Sequence, residues 1–380
     1  MTPARYIDIH LLQSIPYANL NRDDLGSPKS MTFGGVERTR VSSQSWKRAV
    51  RLALQESAGE QALRTRRVPI EVASRLRSKG WSKDLATFAG QQVAASITSK
   101  GLGLEANGGT SVLLYLPASA LDDLARICEE NRDDLSHAQT AKPKTGKSST
   151  KSDPILPRDE VTRTISGRNG VINLFGRMLA DVPTAHVDGA VQVAHAFTVH
   201  GTSAQVDFFT AVDDLNEAAD ETGSGHMNSA EFSAGTFYRY ACVNLHDLTR
   251  NLEGEKALAA ELAADFLTNF ISAIPGAKKN STAAFTVPDL VYIAVRGDRP
   301  VSLASAFEPP VRAPLDGGFG PKSRTVLSEY AGHIYRLIGE DGLVHHAHAL
   351  TDEKGLDHLG ELTPSHAALV KNAIARAGLR

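Results

Sequence analysis

The chain has 380 residues, 42% of them hydrophobic and 22% charged, with 41 Lys plus Arg against 43 Asp plus Glu. That is ordinary for a globular protein able to bury a large core and hold more than one domain, and no apolar run is long enough to span a bilayer as a helix, so no membrane partner is expected. Only Cys128 and Cys242 are present, which excludes a disulfide framework and a zinc knuckle, and with no signal-like N-terminus the expected compartment is the cytoplasm.

Tyr6 to Leu12 alternates, with Ile7, Ile9 and Leu11 on one side, and reads as a strand. The most informative stretch follows, from Asn21 to Arg51. Between Lys29 and Arg51 lie six basic residues (Lys29, Arg38, Arg40, Lys47, Arg48, Arg51) and one acidic residue, Glu37. A local cationic excess on a nearly neutral chain points to a polyanion. Ser42 and Ser43 are good N-cap residues for a helix running to about Ala58, with Trp46, Ala49, Val50, Ala53 and Leu54 on its apolar face. Gln44, Lys47, Arg48 and Arg51 then share a neighbouring face. The unpaired N–H groups of the helix start add to a phosphate-binding arrangement, and Gly34-Gly35 offers a loop whose backbone can lie close to a ligand. A plain solvated basic face gives the same pattern, and both readings stand at this point.

Residues 60–183 contain helical stretches such as Leu121 to Glu130, broken by Gly and polar clusters, and His137 to Asp153 reads as a mobile Lys/Ser/Thr-rich loop. Val191 to Val199 alternates as a strand. The segment from Thr202 to Gly235 holds an acidic cluster and the flexible run Thr222-Gly223-Ser224-Gly225. Phe237 to Leu245 is a strand with Tyr238 and Tyr240 on one face. A helix follows with Leu258, Leu262, Phe266 and Phe270 at i+4 spacing, stopped by Pro275-Gly276. Leu290 to Val295 is a short apolar strand, and helices are expected near Ser328 to Ile338 and Ser365 to Ala377. Without the segments 60–185 and 202–235 the order is strand, helix, strand, strand, helix, strand. This is the ferredoxin-like split βαβ pattern that RNA-recognition domains share, with RNA on the sheet. The RNP1 signature is missing, and the topology alone does not fix a function.

Several blocks, in one order, carry a resemblance: Leu20-Asn21-Arg22-Asp23-Asp24, Phe33-Gly34-Gly35, Arg40 to Arg51, Gly176-Arg177-Met178, Val187-Asp188-Gly189-Ala190, Ala194-His195-Ala196, Phe209 to Asp214, Phe237-Tyr238-Arg239-Tyr240 and Pro275-Gly276-Ala277-Lys278. In them the chain resembles the CasC-type backbone subunit of the type I-E CRISPR surveillance complex, Cascade; the last 80 or so residues match loosely. The resemblance implies an α+β fold: a modified ferredoxin-like (RNA-recognition-type) palm at 1–60, 187–201 and 237–380, a helical fingers domain at 61–186 with a mobile loop at 137–153, and a β-hairpin thumb at 202–236. It implies a non-catalytic, antiviral ribonucleoprotein subunit that needs no cofactor. Copies would stack head to tail along one CRISPR RNA in a helical filament, beside other Cascade subunits, and leave the guide in segments for pairing with target DNA.

Carried over by motif, the RNA contacts are Asn21, Arg22, Lys29, Ser42, Gln44, Lys47, Arg48, Arg51, Arg177 and Met178. Phe209, Thr210 and Met227 are the thumb residues expected to wedge between bases. Hairpin packing competes for one of Phe208 and Phe209, and an ion pair with Asp23 or Asp24 competes for Arg22. Lys142, Lys144, Lys147 and Lys151 are candidates for diffuse contacts to target DNA, with a plain solvated loop as the competing reading.

Enzyme signatures are weak. Gly146-Lys147-Ser148 lacks the leading glycine of a P-loop, since residue 141 is Ala141. His345-His346-Ala347-His348 has no partnered Cys or carboxylate pattern and reads as a surface cluster, while His195 and His200 read as packed or hydrogen-bonded strand residues. Asp213-Asp214 and Asp23-Asp24 leave one alternative, a metal-dependent ribonuclease on the same fold that uses loop aspartates.

Overall fold

A computed structural model describes residues 3–98, 101–140, 154–179, 181–211 and 226–379. The chain divides into a sheet unit, 1–54 with 191–380, and a helical unit, 55–190. The expected fingers bounds, 61–186, fall inside the second.

The chain opens with β1 (Tyr6–Ala18), then β2 (Ser30–Phe33), β3 (Val36–Val41) and α1 (Ser43–Ala58). Between β2 and β3 only Gly34 and Gly35 intervene, at φ of 61° and 77°. Two successive positive φ values make the tight hairpin turn that matches strand twist. A Cβ on Gly34 would lie 1.6 Å from the Glu308 carbonyl oxygen. The pair is therefore a hairpin turn pressed on the protein's own backbone, which corrects the reading of a ligand-facing loop. Helix α1 buries Trp46, Val50 and Leu54, one residue per turn, and Gly59, at a φ of 66°, follows its end.

The helical unit contains β4 (Ala62–Thr65), α2 (Val68–Ser78), α3 (Lys83–Ser96), β5 (Leu114–Pro117), α4 (Ala120–Glu130), α5 (Arg132–Thr140), α6 (Arg158–Ser166) and α7 (Gly170–Phe175). Val72 and Leu76 of α2, Ala89 and Val93 of α3, Leu121 and Leu124 of α4 and Val161 and Ile165 of α6 form its core. Residues 137–140 close α5 and are not loop. Asp133 and Asp134 favour its first turn through the helix dipole, and Leu135 is buried. Lys142, Lys144, Lys147 and Lys151 lie outside the described residues.

The chain returns with β6 (Val191–Val193), β7 (Ala196–Thr198), β8 (Gln205–Ala211), β9 (His226–Asn244), α8 (Leu245–Asn251), α9 (Lys256–Ser272), α10 (Lys279–Thr282), β10 (Leu290–Arg296), α11 (Gly320–Ile338), β11 (Leu343–Leu350), β12 (Glu361–Leu362) and α12 (His366–Arg376). The sheet order is β12-β11-β10-β1-β9-β7-β3-β2, with β6 and β8 also pairing with β9. Its centre, β10-β1-β9-β7, is antiparallel throughout. This is the 4-1-3-2 arrangement that the split βαβ order generates, so the fold is α+β and ferredoxin-like at its heart.

Both faces of this sheet are covered. Trp46 of α1 packs with Ile15 and Phe237 on one. On the other, Leu12, Tyr238 and Tyr292 lie beneath Phe307 and Leu327, Ala331 and Tyr335 of α11. That second face buries a polar network. The Tyr240 hydroxyl (2.8 Å) and the Val301 N–H (2.8 Å) donate to the Asp8 carboxylate, whose pKa burial nonetheless pushes up to about 6. The Tyr238 hydroxyl lies 2.8 Å from His10 Nδ1, and burial lowers the His10 pKa to about 3. Bases therefore do not find an open sheet here, unlike in ordinary RNA-recognition domains. The histidine run forms part of β11: His348 is buried, with Nδ1 donating to the Leu359 carbonyl and Nε2 accepting the Leu356 N–H, which corrects the surface-cluster reading.

Candidate nucleic-acid interface

In the sheet unit the start of α1 is built by three short bonds. The Ser42 N–H donates to Asn21 Oδ1 (2.8 Å), the Ser45 N–H to Ser42 Oγ (3.2 Å) and the Ser43 N–H to His195 Nδ1 (2.9 Å). Ser42 is buried and caps the helix. This corrects its assignment as a surface RNA contact. Asn21 keeps only its amide nitrogen for other partners. Among the described residues, Gln44 is the one of the first three helical positions whose N–H has no partner, so the helix start offers a single free donor.

Around this start the cations gather. The Arg40 N–H donates to the Lys29 carbonyl (2.7 Å), which sets the two residues side by side. Arg40 Nη1 also donates to His195 Nδ1 (3.3 Å). Nδ1 therefore accepts, and the neutral ring carries its proton on Nε2. Burial, then Arg40 and Lys29, hold the His195 pKa below its ordinary value. Lys47 is half-buried, and burial lowers its pKa. No carboxylate pairs with it among the described residues, which leaves a partly desolvated ammonium open to an anion. Arg48 and Gln44 are exposed, Arg51 is half-buried, and the first turn of α1 carries no acid. Arg22 is exposed and, among the described residues, forms no ion pair; Asp23 instead accepts the N–H groups of Leu25 and Ser27. Arg38 is not part of the patch. It is buried, and its guanidinium donates to the carbonyls of Phe33, Thr198, Phe307 and Glu308.

The hairpin of β8 with the first half of β9 pairs Thr210 with Met227 and Phe209 with Asn228. Strand alternation puts Phe208 and Thr210 on one face and Phe209 on the other. Phe208 is 61% and Phe209 46% exposed. Neither is buried, which corrects the expectation that one of them packs the hairpin; among the described residues β8 pairs with β9 alone. At the hairpin base Phe232 packs against Tyr17 with the rings tilted (4.7 Å between centroids), and the Lys278 ammonium lies over Phe232 (5.3 Å). Asp213 and Asp214 lie outside the described residues. Among the described residues no group of three or more His, Cys, Asp or Glu could hold a metal ion.

In the helical unit, Arg177 and Met178 part company. Arg177 is 3% exposed, and its guanidinium donates to the carbonyls of Ala185 (2.7 Å), Ser166 (2.7 Å), Gly167 (2.8 Å), Tyr115 (3.2 Å) and Ile165 (3.3 Å). Burial, then Arg168, lowers its pKa to about 10. It is a clamp on the protein's own backbone, and the phosphate-contact role carried over for it is corrected. Met178, 81% exposed, projects at the mouth of a cleft of about 480 Å³. Gly176, at a φ of 77°, fixes this turn: a Cβ there would lie 2.6 Å from the Gly189 nitrogen.

The family model Cas_CT1975, described as CT1975-like protein, matches residues 7–372. The chain belongs to this family. Among solved structures, a chain titled "CRISPR RNA-guided surveillance complex, pre-nicking" is 46% identical, with a TM-score of 0.90 over 98% of this chain and 100% of that one. A second, titled "CRISPR RNA-guided surveillance complex", is 40% identical, with a TM-score of 0.80 over 97% and 99%. No curated protein matches the chain.

Two features of the patch in this Cas_CT1975 chain go beyond its motifs. His195, expected to be packed or hydrogen-bonded in a strand, is hydrogen-bonded. It is exposed because β6 and β7 break at Ala194 and His195, and the break itself, in Ala194-His195-Ala196, has no propensity signature. Lys278 and Lys279 were not selected, although the Lys278 N–H bonds the Asn19 carbonyl (3.2 Å), two residues before Asn21. Two adjacent lysines just after Pro275-Gly276 were the available signal.

Proposed function

We propose that this chain is a non-catalytic RNA-binding backbone subunit of a type I-E CRISPR surveillance complex. In this reading copies line up head to tail along one CRISPR RNA. The patch at the start of α1 holds the ribose-phosphate strand, the 205–232 hairpin interrupts the bases, and the guide is left in segments for target DNA. The observation that carries it is the half-buried Lys47, with no carboxylate partner among the described residues, in the first turns of a helix whose start also gathers His195, Arg40 and Lys29 and has no acid in its first turn. Such a surface neutralises phosphates whatever the base, and the two solved relatives are titled as RNA-guided complexes.

The test is co-purification. Chain expressed with a CRISPR RNA should carry repeat-derived RNA, and Lys47→Glu with Arg48→Glu should lose it while the melting curve is kept. RNA retained by the double variant at moderate salt counts against the groove. The same preparation, incubated with Mg²⁺ and labelled complementary RNA, should leave that RNA intact. Cleavage that disappears in Asp23→Asn would instead support the ribonuclease alternative.

A further inference from the structure

His200 has no part in the cationic patch. It sits where the 205–232 hairpin joins the sheet. Strand β9 is unbroken over 19 residues. Its first half pairs with β8 and its second half with β1, and the β1 register shifts between Ser233 and Gly235. A strand bends and twists at such a change unless side chains hold it. Asp207, Phe208 and Phe209 are exposed, and among the described residues β8 pairs with β9 alone. The hairpin therefore takes its direction from its base.

Two buried side chains tie the legs of the hairpin together there. His200, on the entering leg, is stacked on Phe319 with ring centroids 3.5 Å apart. Its Nδ1–H donates to the Gly201 carbonyl (2.9 Å), and Nε2 accepts the Thr236 N–H of the returning leg (3.2 Å). Gly235 lets the ring come this close: a Cβ there would lie 3.1 Å from His200 Nε2 and 2.7 Å from Thr198 Cγ2. Thr39 of β3 makes the second tie. Its N–H donates to Thr202 Oγ1 on the entering leg (2.7 Å), and its Oγ1 lies 2.5 Å from Ser233 Oγ on the returning leg. Thr202 Oγ1 lies 2.9 Å from Thr39 Oγ1 and 3.3 Å from Thr198 Oγ1, and the Thr198 hydroxyl donates to the His200 carbonyl (3.0 Å). One direction of donation, from Ser233 through Thr39, Thr202 and Thr198 to that carbonyl, uses each hydroxyl once and joins the two ties. Arg40 follows Thr39 directly, and Ser42 caps α1, so the same strand leads into the patch.

We propose that His200 and Thr39 are positioning residues that fix the direction of the hairpin relative to the start of α1. The proposal rests on the RNA-binding reading above and deepens it. The interval between a gripped phosphate and an interrupted base is then set by these two ties inside the protein and not by the RNA. Hydrogen bonds suit the task because they fix angle as well as distance, whereas an apolar seam of the same size lets the hairpin rock.

The experiment compares two variants of the full chain. His200→Phe with Thr39→Val keeps a ring and a side-chain shape but removes the acceptor for Thr236 and the hydroxyl between the legs. His200→Gln with Thr39→Ser keeps an acceptor and a hydroxyl and serves as the rescue. Spin labels at Leu52→Cys on α1 and Asp207→Cys on the hairpin read the direction without RNA, both sites being exposed and both native cysteines buried; unlabelled chain dilutes contacts between copies. A narrow distance distribution is expected in the wild-type and rescue backgrounds, and a broad one in the severed variant. On single-stranded RNA with 2-aminopurine at successive positions, the severed variant should lose the contrast between bright, unstacked positions and dark ones. Its RNA content per folded molecule should stay unchanged, because the α1 patch is intact. A distribution that stays narrow in the severed variant, or is already broad in wild type, overturns the proposal, as does a broad one with wild-type contrast. Should the severed variant not fold, His200→Phe and Thr39→Val taken singly carry the same comparison. Wild type that binds no RNA, or binds it without bright positions, defeats the functional reading of the hairpin, and the label distances then decide the positioning role alone.

Discussion

Arg177→Lys separates a structural arginine from a nucleic-acid contact. The guanidinium serves five carbonyls in three chain segments, at 115, 165–167 and 185, over distances of 2.7–3.3 Å. A lysine ammonium has three donors at one point and cannot reach this spread of acceptors. Hydrogen bonds from a charged donor contribute roughly 1.5–3 kcal/mol each, and a buried acceptor left without a donor costs roughly 1–3 kcal/mol. These figures are not additive, and the lowered pKa of about 10 shows that burial already weakens the charged form. A net loss of roughly 3–5 kcal/mol is therefore expected, the scale of breaking a buried charged network. For a domain of this size that lowers the melting temperature by roughly 10 °C. Circular dichroism melts of Arg177→Lys and wild type, each with RNA content measured per folded molecule, make the comparison. The expected outcome is a lower melt with RNA content per folded molecule unchanged. A variant that melts like wild type yet comes without RNA would refute the reasoning and return Arg177 to the interface.

Two further expectations follow from groups whose protonation the fold sets. His195 accepts through Nδ1, so Asn, which mimics Nδ1, should keep the Ser43 bond, whereas Gln, which mimics Nε2, should lose it; if Nε2–H touches the strand, His195→Asn weakens RNA binding with an unchanged melt and His195→Gln binds better than Asn, and filter binding with equal affinities for the two would reject that contact. Asp8 is the second case. Its folded pKa of about 6 lies above the ordinary 3.8, so its contribution to stability is complete below 3.8 and is lost as pH rises through 6, by ~3 kcal/mol in all. Asp8→Asn should therefore gain on wild type by about that amount between pH 4 and pH 7.5 in urea titrations, and a pH-independent difference would mean that Asp8 stays ionised throughout.

What was legible in the sequence was what repeats locally. Trp46, Val50 and Leu54 announced α1, Leu262, Phe266 and Phe270 announced α9, and the split order of strands and helices led to the sheet order actually found. Long-range assembly was not legible. The strand read as Val191 to Val199 is two strands with His195 exposed in the gap, and the strand read as Phe237 to Leu245 is the second half of one that runs from His226 to Asn244, with Leu245 opening α8. The residues that close the second sheet face, Phe307 and Leu327, belong to the region whose motifs matched least.

The charged residues show why composition finds a patch more readily than its members. Phosphate and carbonyl oxygens make the same demand on a guanidinium, so a sequence motif cannot say which of them an arginine serves. Three arginines, one from the basic stretch and two from the motif blocks, serve the interior: Arg38 and Arg177 through carbonyls, and Arg239 through Gln13, the Phe270 carbonyl and the face of Trp46 at 3.8 Å. Arg239 lies beneath the helix that bears Lys47, and burial brings its pKa down to about 9. The division follows from hydration. A guanidinium is weakly hydrated and can be buried among carbonyls, while an ammonium keeps its water unless an anion replaces it. Within this fold the lysines are accordingly the better markers of the strand's path. Lys29, Lys47, Lys278 and Lys279 are all at least partly exposed, and charge reversal at Lys29 or Lys47 should cost RNA affinity without costing stability.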